Sequence, residues 1–270
     1  GAADARADSI SYVKDGDVWL TTPDGARQVR LTRTGIYAEA SQADDGRIIA
    51  LTGERLHLLD RRGRVLASFA TPVTDGPPKR DGTDYFNGPF DPQISPDGTR
   101  VAFTYYWQHF TFDPTCNPPA GCVRTRLDSG TMITRSDRLT GASVYGLLTG
   151  WKWASWVGDD RLLRSDPGAI LNEDVVVNRV APGLGDDDLL RWFSDRGVSA
   201  LEQVEMNRQR AALVGMARDA RDGWQVRVYR MTSAAPALPE ACFAYNDETR
   251  TGPSSPTWSP DGRAVAFVSE

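Results

Sequence analysis

The chain has 270 residues, of which 40% are hydrophobic and 25% charged, and its formal net charge is −5. This is the composition of an ordinary folded protein. It contains no basic run, which argues against nucleic acid as a partner, and no segment with the ~20 apolar residues of a membrane-spanning helix. Repeat folds and barrels reach this length as one domain, so we expect a single domain over residues 1–270.

Short runs of β-branched and aromatic residues, separated by Gly, Pro, Asn and Asp, predict strands along the whole chain. Three predicted strands come first, at 9–13, 17–22 and 26–31. Four more follow, at 37–42, 47–52, 55–60 and 65–70. This second group forms a complete set, because tight turns join its first strand to its second and its third to its fourth.

Three further groups of four are predicted. They lie at 91–95, 100–107, 131–135 and 143–148, then at 153–157, 161–164, 174–180 and 189–193, then at 200–205, 211–217, 224–231 and 242–245. The last two strands lie at 256–259 and 264–269. The total of 21 strands is three short of six complete groups of four.

One bend pattern joins the first strand of a group to the second. Its clear copies are Asp45-Gly46, Asp97-Gly98 and Asp261-Gly262, and eroded copies lie at 156–163 and 206–213. In such a bend the Asp hydrogen-bonds its own backbone and the Gly adopts a positive φ, so these residues are structural. The aligned positions are Asp45, Asp97, Asp159, Arg208 and Asp261, which are 52, 62, 49 and 53 residues apart.

A repeat of about 50 residues built from short strands is the size of a propeller blade. We therefore predict an all-β protein, a β-propeller of four-stranded antiparallel blades. Six blades are expected, with incomplete terminal blades; five blades and a spare strand are the alternative. Because unpaired edges invite aggregation, we expect the natural chain to continue past Glu270.

Two copies of the bend carry a family resemblance. The segments Ser-Pro-Asp-Gly at 95–98 and Trp-Ser-Pro-Asp-Gly-Arg at 258–263 resemble the TolB-like (Tol-associated) β-propeller repeat, in which an aromatic precedes Ser-Pro-Asp-Gly-Arg and a Val/Ala/Phe strand. The copy at 45–47 matches in part, and the eroded copies lack the Ser-Pro-Asp-Gly core. The resemblance spans nearly the whole chain and implies a propeller that binds other proteins. The motif itself is a turn and does not identify a function.

The cysteines indicate a compartment. Cys116 and Cys122 bracket Asn-Pro-Pro-Ala-Gly in a segment that is too irregular for a strand, and we interpret them as a disulfide; two free thiols are the alternative. A metal site is disfavoured because no second Cys or His pair accompanies them. A disulfide indicates an oxidising environment, so we expect a secreted or periplasmic protein whose leader has been removed.

Strand direction predicts which face carries function. Antiparallel strands alternate, so the Asp-Gly bends share one face and the irregular connections at 71–89 and 108–130 share the other. These connections form a loop-rich rim over residues 71–92 and 107–130. Long loops on a rigid scaffold are where binding residues concentrate. The innermost strands also begin on this face, near the mouth of the central channel.

Seven residues near this rim are the predicted ligand-binding set: Tyr85, Phe86, Asp91, Trp107, His109, Trp151 and Trp153. Aromatic side chains provide a large apolar surface with a polar tip, which suits recognition of a protein or peptide. Structural alternatives stay open. The aromatic run at 105–112 also fits core and loop packing, the tryptophans fit packing between blades, and His109 fits a polar loop position.

Motifs of catalysis are missing from the sequence. It has no Gly-x-Ser-x-Gly, no His-Glu-x-x-His and no phosphate-binding glycine loop. Two histidines cannot furnish a multi-histidine metal site, and the paired carboxylates have no distinguishing context. We therefore predict no enzymatic activity, no metal and no cofactor.

The expected function is that of a non-catalytic binding scaffold outside the cytoplasm, which presents the rim to a protein, peptide or envelope ligand. The alternative is the substrate-filtering propeller of a prolyl-oligopeptidase-like serine peptidase. A hydrolase domain encoded beyond Glu270 would favour that alternative. A propeller polysaccharide lyase or hydrolase is a third possibility, which the low histidine content disfavours.

Overall fold

The computed structural model describes residues 9–53, 55–70, 85–113, 115, 122–136, 147–149, 152–165, 174–180, 189–195, 197–207, 212–219, 223–230, 241–244 and 254–268. Every regular element within these ranges is a β-strand. A search of the same residues finds no helix with the length and apolar character needed to cross a membrane.

The strands follow the chain in antiparallel sheets, which we number as blades. Blade 1 consists of β1 (Ile10–Lys14), β2 (Asp17–Thr21) and β3 (Gln28–Arg30). Blade 2 consists of β4 (Glu39–Gln42), β5 (Ile48–Thr52), β6 (Arg55–Leu59) and β7 (Val65–Ala70). Blade 3 consists of β8 (Tyr85–Ile94), β9 (Arg100–Asp113), β10 (Cys122–Arg135) and β11 (Leu147–Thr149).

Three more sheets complete the described part of the chain. Blade 4 consists of β12 (Lys152–Val157), β13 (Arg161–Ser165), β14 (Asp174–Arg179) and β15 (Leu189–Ser194). Blade 5 consists of β16 (Ala200–Met206), β17 (Ala212–Asp219), β18 (Gly223–Arg230) and β19 (Ala241–Ala244). Blade 6 consists of β20 (Ser254–Trp258) and β21 (Val265–Val268).

Successive sheets pack against each other around a row of inner strands. The first strand of each blade contacts the first strand of the next, from β4 through β8, β12 and β16 to β20. A separate apolar cluster fills each interface. Between blades 2 and 3 it joins Ile49 and Leu56 to Phe103 and Tyr105, all of which are buried. Sheets that pack in sequence around inner strands are the blades of a β-propeller.

The predicted all-β propeller is therefore confirmed, and each of the 21 predicted strands corresponds to one strand of the structure. Within the described residues blade 1 holds three strands and blade 6 holds two, as their predicted spacing indicates. The number of blades in the closed ring remains a prediction, as does the single-domain organisation over residues 1–270.

The Asp-Gly bends connect first and second strands through local hydrogen bonds. In blade 3 the Gly98 N–H donates to the Ser95 carbonyl over 2.8 Å, and Asp97 Oδ1 accepts from Thr99 N–H over 2.9 Å. The bends at Asp45 and Asp261 repeat both bonds. The glycines at 46, 98 and 262 have φ angles of 83°, 70° and 68°. This geometry explains why glycine follows the Asp in each copy.

The structure corrects the sequence prediction on the opposite face of blade 3. Residues 85–89, 108–113 and 122–130 were expected in irregular connections, but they continue β8, β9 and β10. Aromatic residues are frequent at 106–112, and β-branched residues alternate with arginine at 123–126; both patterns are strand signals. The Pro-rich stretch between these two segments obscured it. Residues 71–84 and 116–121 lie outside the described part of the chain.

Candidate functional site

Blade 3 carries a ribbon that extends beyond the body of its sheet. We define the blade-3 ribbon as residues 85–87, 106–113 and 122–129. Its backbone register pairs Tyr106 with Ser129 and continues without interruption to Asp113 opposite Cys122. Eight residues of strand span roughly 26 Å, so the ribbon is longer than most whole strands in globular domains. It extends the sheet on the face opposite the bends.

The ribbon brings four predicted binding residues together in one register. Phe86 pairs with Trp107, and Tyr85 pairs with Gln108. His109 lies two positions beyond Trp107 and pairs with Arg126. Because strand residues alternate between faces, Phe86, Trp107 and His109 share one face of the ribbon, and Tyr85 belongs to the other.

A second feature recurs on the inner strands. Four residues that are not glycine have positive φ angles at equivalent positions: Asp91 (49°), Trp153 (48°), Gln203 (50°) and Ser255 (53°). Each interrupts the pairing register of its strand. Asp91 and Trp153 are predicted site residues. Positive φ is costly for such residues, so the surrounding contacts must hold these bulges in place.

Hydrogen bonds from the preceding blade hold three of the bulges. The backbone N–H of Asp91 donates to Glu39 Oε2, and that of Ser255 donates to Gln203 Oε1 over 2.7 Å. The N–H of Trp153 donates to Thr104 Oγ1 over 3.2 Å. Each of these three hydrogen bonds joins a bulge to the preceding blade, and we call such a contact a seam.

Glu39 and Gln203 hold equivalent places, because each lies in the inner strand that precedes the bulge it accepts from. Glu39 is six residues before Asp45, as Asp91 is six residues before Asp97. Sequence analysis missed Glu39, Gln203 and Ser255. Counting six residues back from each bend would have identified these positions as a set.

The seam between blades 2 and 3 concentrates negative charge. Burial raises the pKa of the Glu39 carboxyl to about 7, and the Asp91 carboxylate adds to this rise, although the hydrogen bond from Asp91 N–H opposes it. Burial also raises the pKa of Asp91 to about 6, against the hydrogen bond of 2.9 Å from Gln93 Nε2. Each residue keeps part of its surface exposed. Both carboxyls therefore titrate close to neutral pH.

Two tryptophans form hydrogen bonds between blades, three residues after the bulge on their inner strands. Trp156 Nε1 donates to the Gln93 carbonyl over 3.0 Å, and Trp258 Nε1 donates to the Glu205 carbonyl over 3.2 Å. In both cases the acceptor belongs to the inner strand of the preceding blade. Trp156 thus takes the inter-blade role that the sequence analysis left open for the tryptophans.

The eroded bend of blade 5 is centred one residue later than the sequence alignment placed it. Asn207 N–H donates to the Ala212 carbonyl, and Asn207 Oδ1 accepts from Ala212 N–H. In blade 3, Ser95 makes both bonds with Arg100. Asn207 therefore replaces the serine of the motif, and the Asp position falls at 209 rather than at Arg208.

The remaining predictions fall outside what the structure describes. Trp151 and Cys116 lie outside the described residues, and Cys122 is described only as the first residue of β10. The disulfide therefore stays a prediction. Within the described residues, no group of three His, Cys, Asp or Glu side chains is arranged to hold a metal ion.

Comparison with known proteins finds similarity in structure and not in sequence. No protein-family model and no curated protein matches the chain. TolB from Acinetobacter baumannii superposes with a TM-score of 0.53 at 13% identity, over 92% of this chain and 53% of TolB. A protein assigned as a gluconolactonase superposes with a TM-score of 0.50 at 14% identity, over 96% of this chain and 81% of that protein.

An oligogalacturonate lyase from Vibrio parahaemolyticus gives a TM-score of 0.47 at 12% identity, over 96% of this chain and 82% of the lyase. At 13% and 14% identity, the matches to TolB and to the gluconolactonase show the fold alone. The chain spans about half the length of TolB. Fold and comparisons agree that the chain is a β-propeller.

Proposed function

We propose that the chain is a TolB-like propeller that acts as a non-catalytic binding scaffold for a protein or peptide. The observation that carries this proposal is the blade-3 ribbon. The second strands of blades 2 and 4 have five residues each, whereas β9 and β10 have 14 each. A blade does not need this length for its packing, and a ribbon beyond the blade offers surface and backbone groups to a partner.

The residues along the ribbon suit recognition of a polypeptide. Both alternating sets of positions combine aromatic and polar residue types: Tyr106 and Phe110 belong to one set, and Trp107 and His109 belong to the other. Aromatic residues are enriched at the centres of protein interfaces, because each buries a large area at a small entropic cost. Extended peptides also bind by pairing with a sheet edge.

The seam residues have a supporting role in this proposal. Asp91 belongs to the same strand as Tyr85 and Phe86, so the bond between Asp91 and Glu39 anchors the strand that enters the ribbon. An extracytoplasmic location is also part of the proposal, and it depends on the predicted pairing of Cys116 with Cys122. A count of free thiols in the unfolded, unreduced protein tests it: one is expected, and three would contradict it.

Removal of the ribbon tests the proposed function. Tyr106 pairs directly with Ser129, so an Asn-Gly turn replacing residues 107–128 keeps the pairing of the blade from Tyr106 to Arg100 and removes only the partners of Tyr85 and Phe86 on β8. We expect the melting temperature to change by only a few degrees. Arg62→Ala, an exposed change in the outer bend of blade 2, is the matched control.

The probes for this test are a displayed random dodecapeptide library and a solubilised bacterial envelope extract. Ligands retained by the wild type and by Arg62→Ala, but lost by the ribbon deletion, would support the proposal. Ligands that bind the deletion variant equally well would contradict it, as would no enrichment over an empty matrix.

A further inference from the structure

Two seams of this propeller make the same hydrogen bond with different chemistry. Between blades 5 and 6, the neutral amide of Gln203 accepts the bulge N–H of Ser255. Between blades 2 and 3, the carboxyl of Glu39 accepts the bulge N–H of Asp91. A glutamine is therefore sufficient for the bond. The glutamate adds an ionisable group, and Asp91 places a second one beside it.

The elements packed around the pair supply little opposing charge. On β1, Lys14 Nζ lies over the ring of Trp19, 5.9 Å from its centroid. Strand β5 has no titratable residue. On β9, Arg100 donates to the carbonyl of Asp159.

One further strand packs against β8. Strand β12 begins with Lys152, whose side chain lies outside the described part of the chain. The neighbour that touches the pair is Gln93, a neutral donor to Asp91. Among the side chains that the structure describes, the two carboxyls therefore face each other without a cation bonded between them.

We propose that Glu39 and Asp91 form a proton-dependent latch between strands β4 and β8. While the pair holds at least one proton, repulsion between the carboxyls is small and the Asp91 N–H stays hydrogen-bonded to Glu39. When both ionise, two negative charges share one half-buried seam, and the loss of their hydration, with their mutual repulsion added, favours opening of the contact. The proton leaves to solvent, and opening of the latch breaks the hydrogen bond from Asp91 N–H to Glu39, with no other covalent change.

The working range of the latch follows from its environment. Burial raises the pKa of Glu39 to about 7 and that of Asp91 to about 6, well above the values of exposed acids. The latch is therefore closed at mildly acidic pH and loosened above neutrality. Strand β8 runs from Asp91 into the ribbon, so the order of residues 85–90 should follow the latch. This inference does not depend on what the ribbon binds.

Amide hydrogen exchange tests the latch, with the seam between blades 5 and 6 as an internal control. After correction for the intrinsic effect of pH, we expect protection of the Asp91 N–H to fall at least about tenfold between pH 5 and pH 8. Protection of the Ser255 N–H should stay constant. In Glu39→Gln, which copies the residue at 203, the fall at Asp91 should become several-fold smaller, with only the burial of Asp91 itself left to cause it.

A second variant keeps the test decisive if Glu39→Gln folds poorly. Asp91→Asn retains a residue type that tolerates positive φ, and it removes the second charge. It should reduce the loss of protection at residue 91 without abolishing it, because burial still raises the pKa of Glu39. Equal pH dependence at both seams, or an unchanged loss in either variant, would overturn the proposal.

Discussion

Carboxyl groups in the Asp-Gly bend of blade 3 and in the seam between blades 2 and 3 have pKa values shifted in opposite directions. In the bends, the acceptor and donor lie within a few residues of each other, as in the bond from Thr99 N–H to Asp97. Burial opposes ionisation of Asp97, but hydrogen bonds from Ser95 and Thr99 prevail and lower its pKa. In the seam, burial and a neighbouring carboxylate raise the pKa of Glu39, whose bonded partner Asp91 is 52 residues away.

This comparison shows that a bend can be recognised in the sequence, whereas a seam can be recognised only in the folded structure. A bend carries its donors and acceptors within one short motif, so its residue types are recognisable in every copy. A seam forms only when two blades meet, and its partners share no local pattern. Predictions about the two features therefore differ in range and in pH dependence.

The largest expected effect on stability comes from an outer bend that also packs on the neighbouring blade. Gly25 and Gly63 lie in the outer bends of blades 1 and 2, with φ angles of 71° and 77°. A Cβ on Gly25 would meet open space, whereas one on Gly63 would collide with the backbone carbonyl of Leu31. Gly25→Ala should cost about 1 kcal/mol in the free energy of unfolding, from the positive φ alone. Gly63→Ala should cost about 3 kcal/mol, because backbone must also move.

Urea denaturation of both variants measures these costs. Equal losses for Gly25→Ala and Gly63→Ala would show that the outer bend of blade 2 does not pack on blade 1.

An intermediate effect on stability is expected for a tryptophan that bonds the neighbouring blade, compared with one that bonds within its own hairpin. Trp156→Phe removes the donor to the Gln93 carbonyl and should cost about 1–2 kcal/mol in unfolding free energy. Trp19→Phe is the control, because its indole bonds the carbonyl of Lys14 within one exposed hairpin, over 3.3 Å. It should cost less than about 0.5 kcal/mol. Similar losses in chemical denaturation would contradict a special role for the seam.

The smallest effect concerns pH, where bends and seam should act with opposite sign. The pKa of Glu39 is higher in the fold than in the unfolded chain, so its favourable contribution is present at low pH and is lost as pH rises through about 7. Glu39→Gln should thus raise stability by roughly 1 kcal/mol at pH 8 and leave it unchanged at pH 4. Thermal melts at both values measure this.

Bend aspartates supply the control for that experiment. The pKa of Asp97 is lowered in the fold, so its contribution is present above the unfolded value and is lost as pH falls below it. Asp97→Asn should weaken the dependence of stability on pH below 4 and leave the alkaline side unchanged. An alkaline effect of Asp97→Asn as large as that of Glu39→Gln would remove the distinction between the two features.

The propeller was predictable because its signals are local and repeated. Asp97-Gly98 and Asp261-Gly262 contain the donors and acceptors of their own bends, and the strand periodicity also located the strands of the first and last sheets. The rest depends on contacts across blades. Nothing near Glu39 in sequence shows that it meets Asp91, and Asn207 replaces a serine through the same bond without resembling the motif.

The blade-3 ribbon was not predicted from the sequence for another reason. Strand pairing from Tyr106 to Asp113 requires β10 to run alongside, and the Pro-rich residues between the two segments suggested an irregular loop instead. The site prediction therefore identified Tyr85, Phe86, Trp107 and His109 by region, while their common register came only with the structure.

The most direct test of this account is a carboxyl ¹³C NMR titration of the intact chain from pH 2 to pH 9. We expect pKa values below the ordinary aspartate value of about 3.9 for Asp97 and Asp261, and pKa values of about 7 for Glu39 and about 6 for Asp91. A Glu39 carboxyl that titrates near 4.3, as an exposed glutamate does, would contradict it.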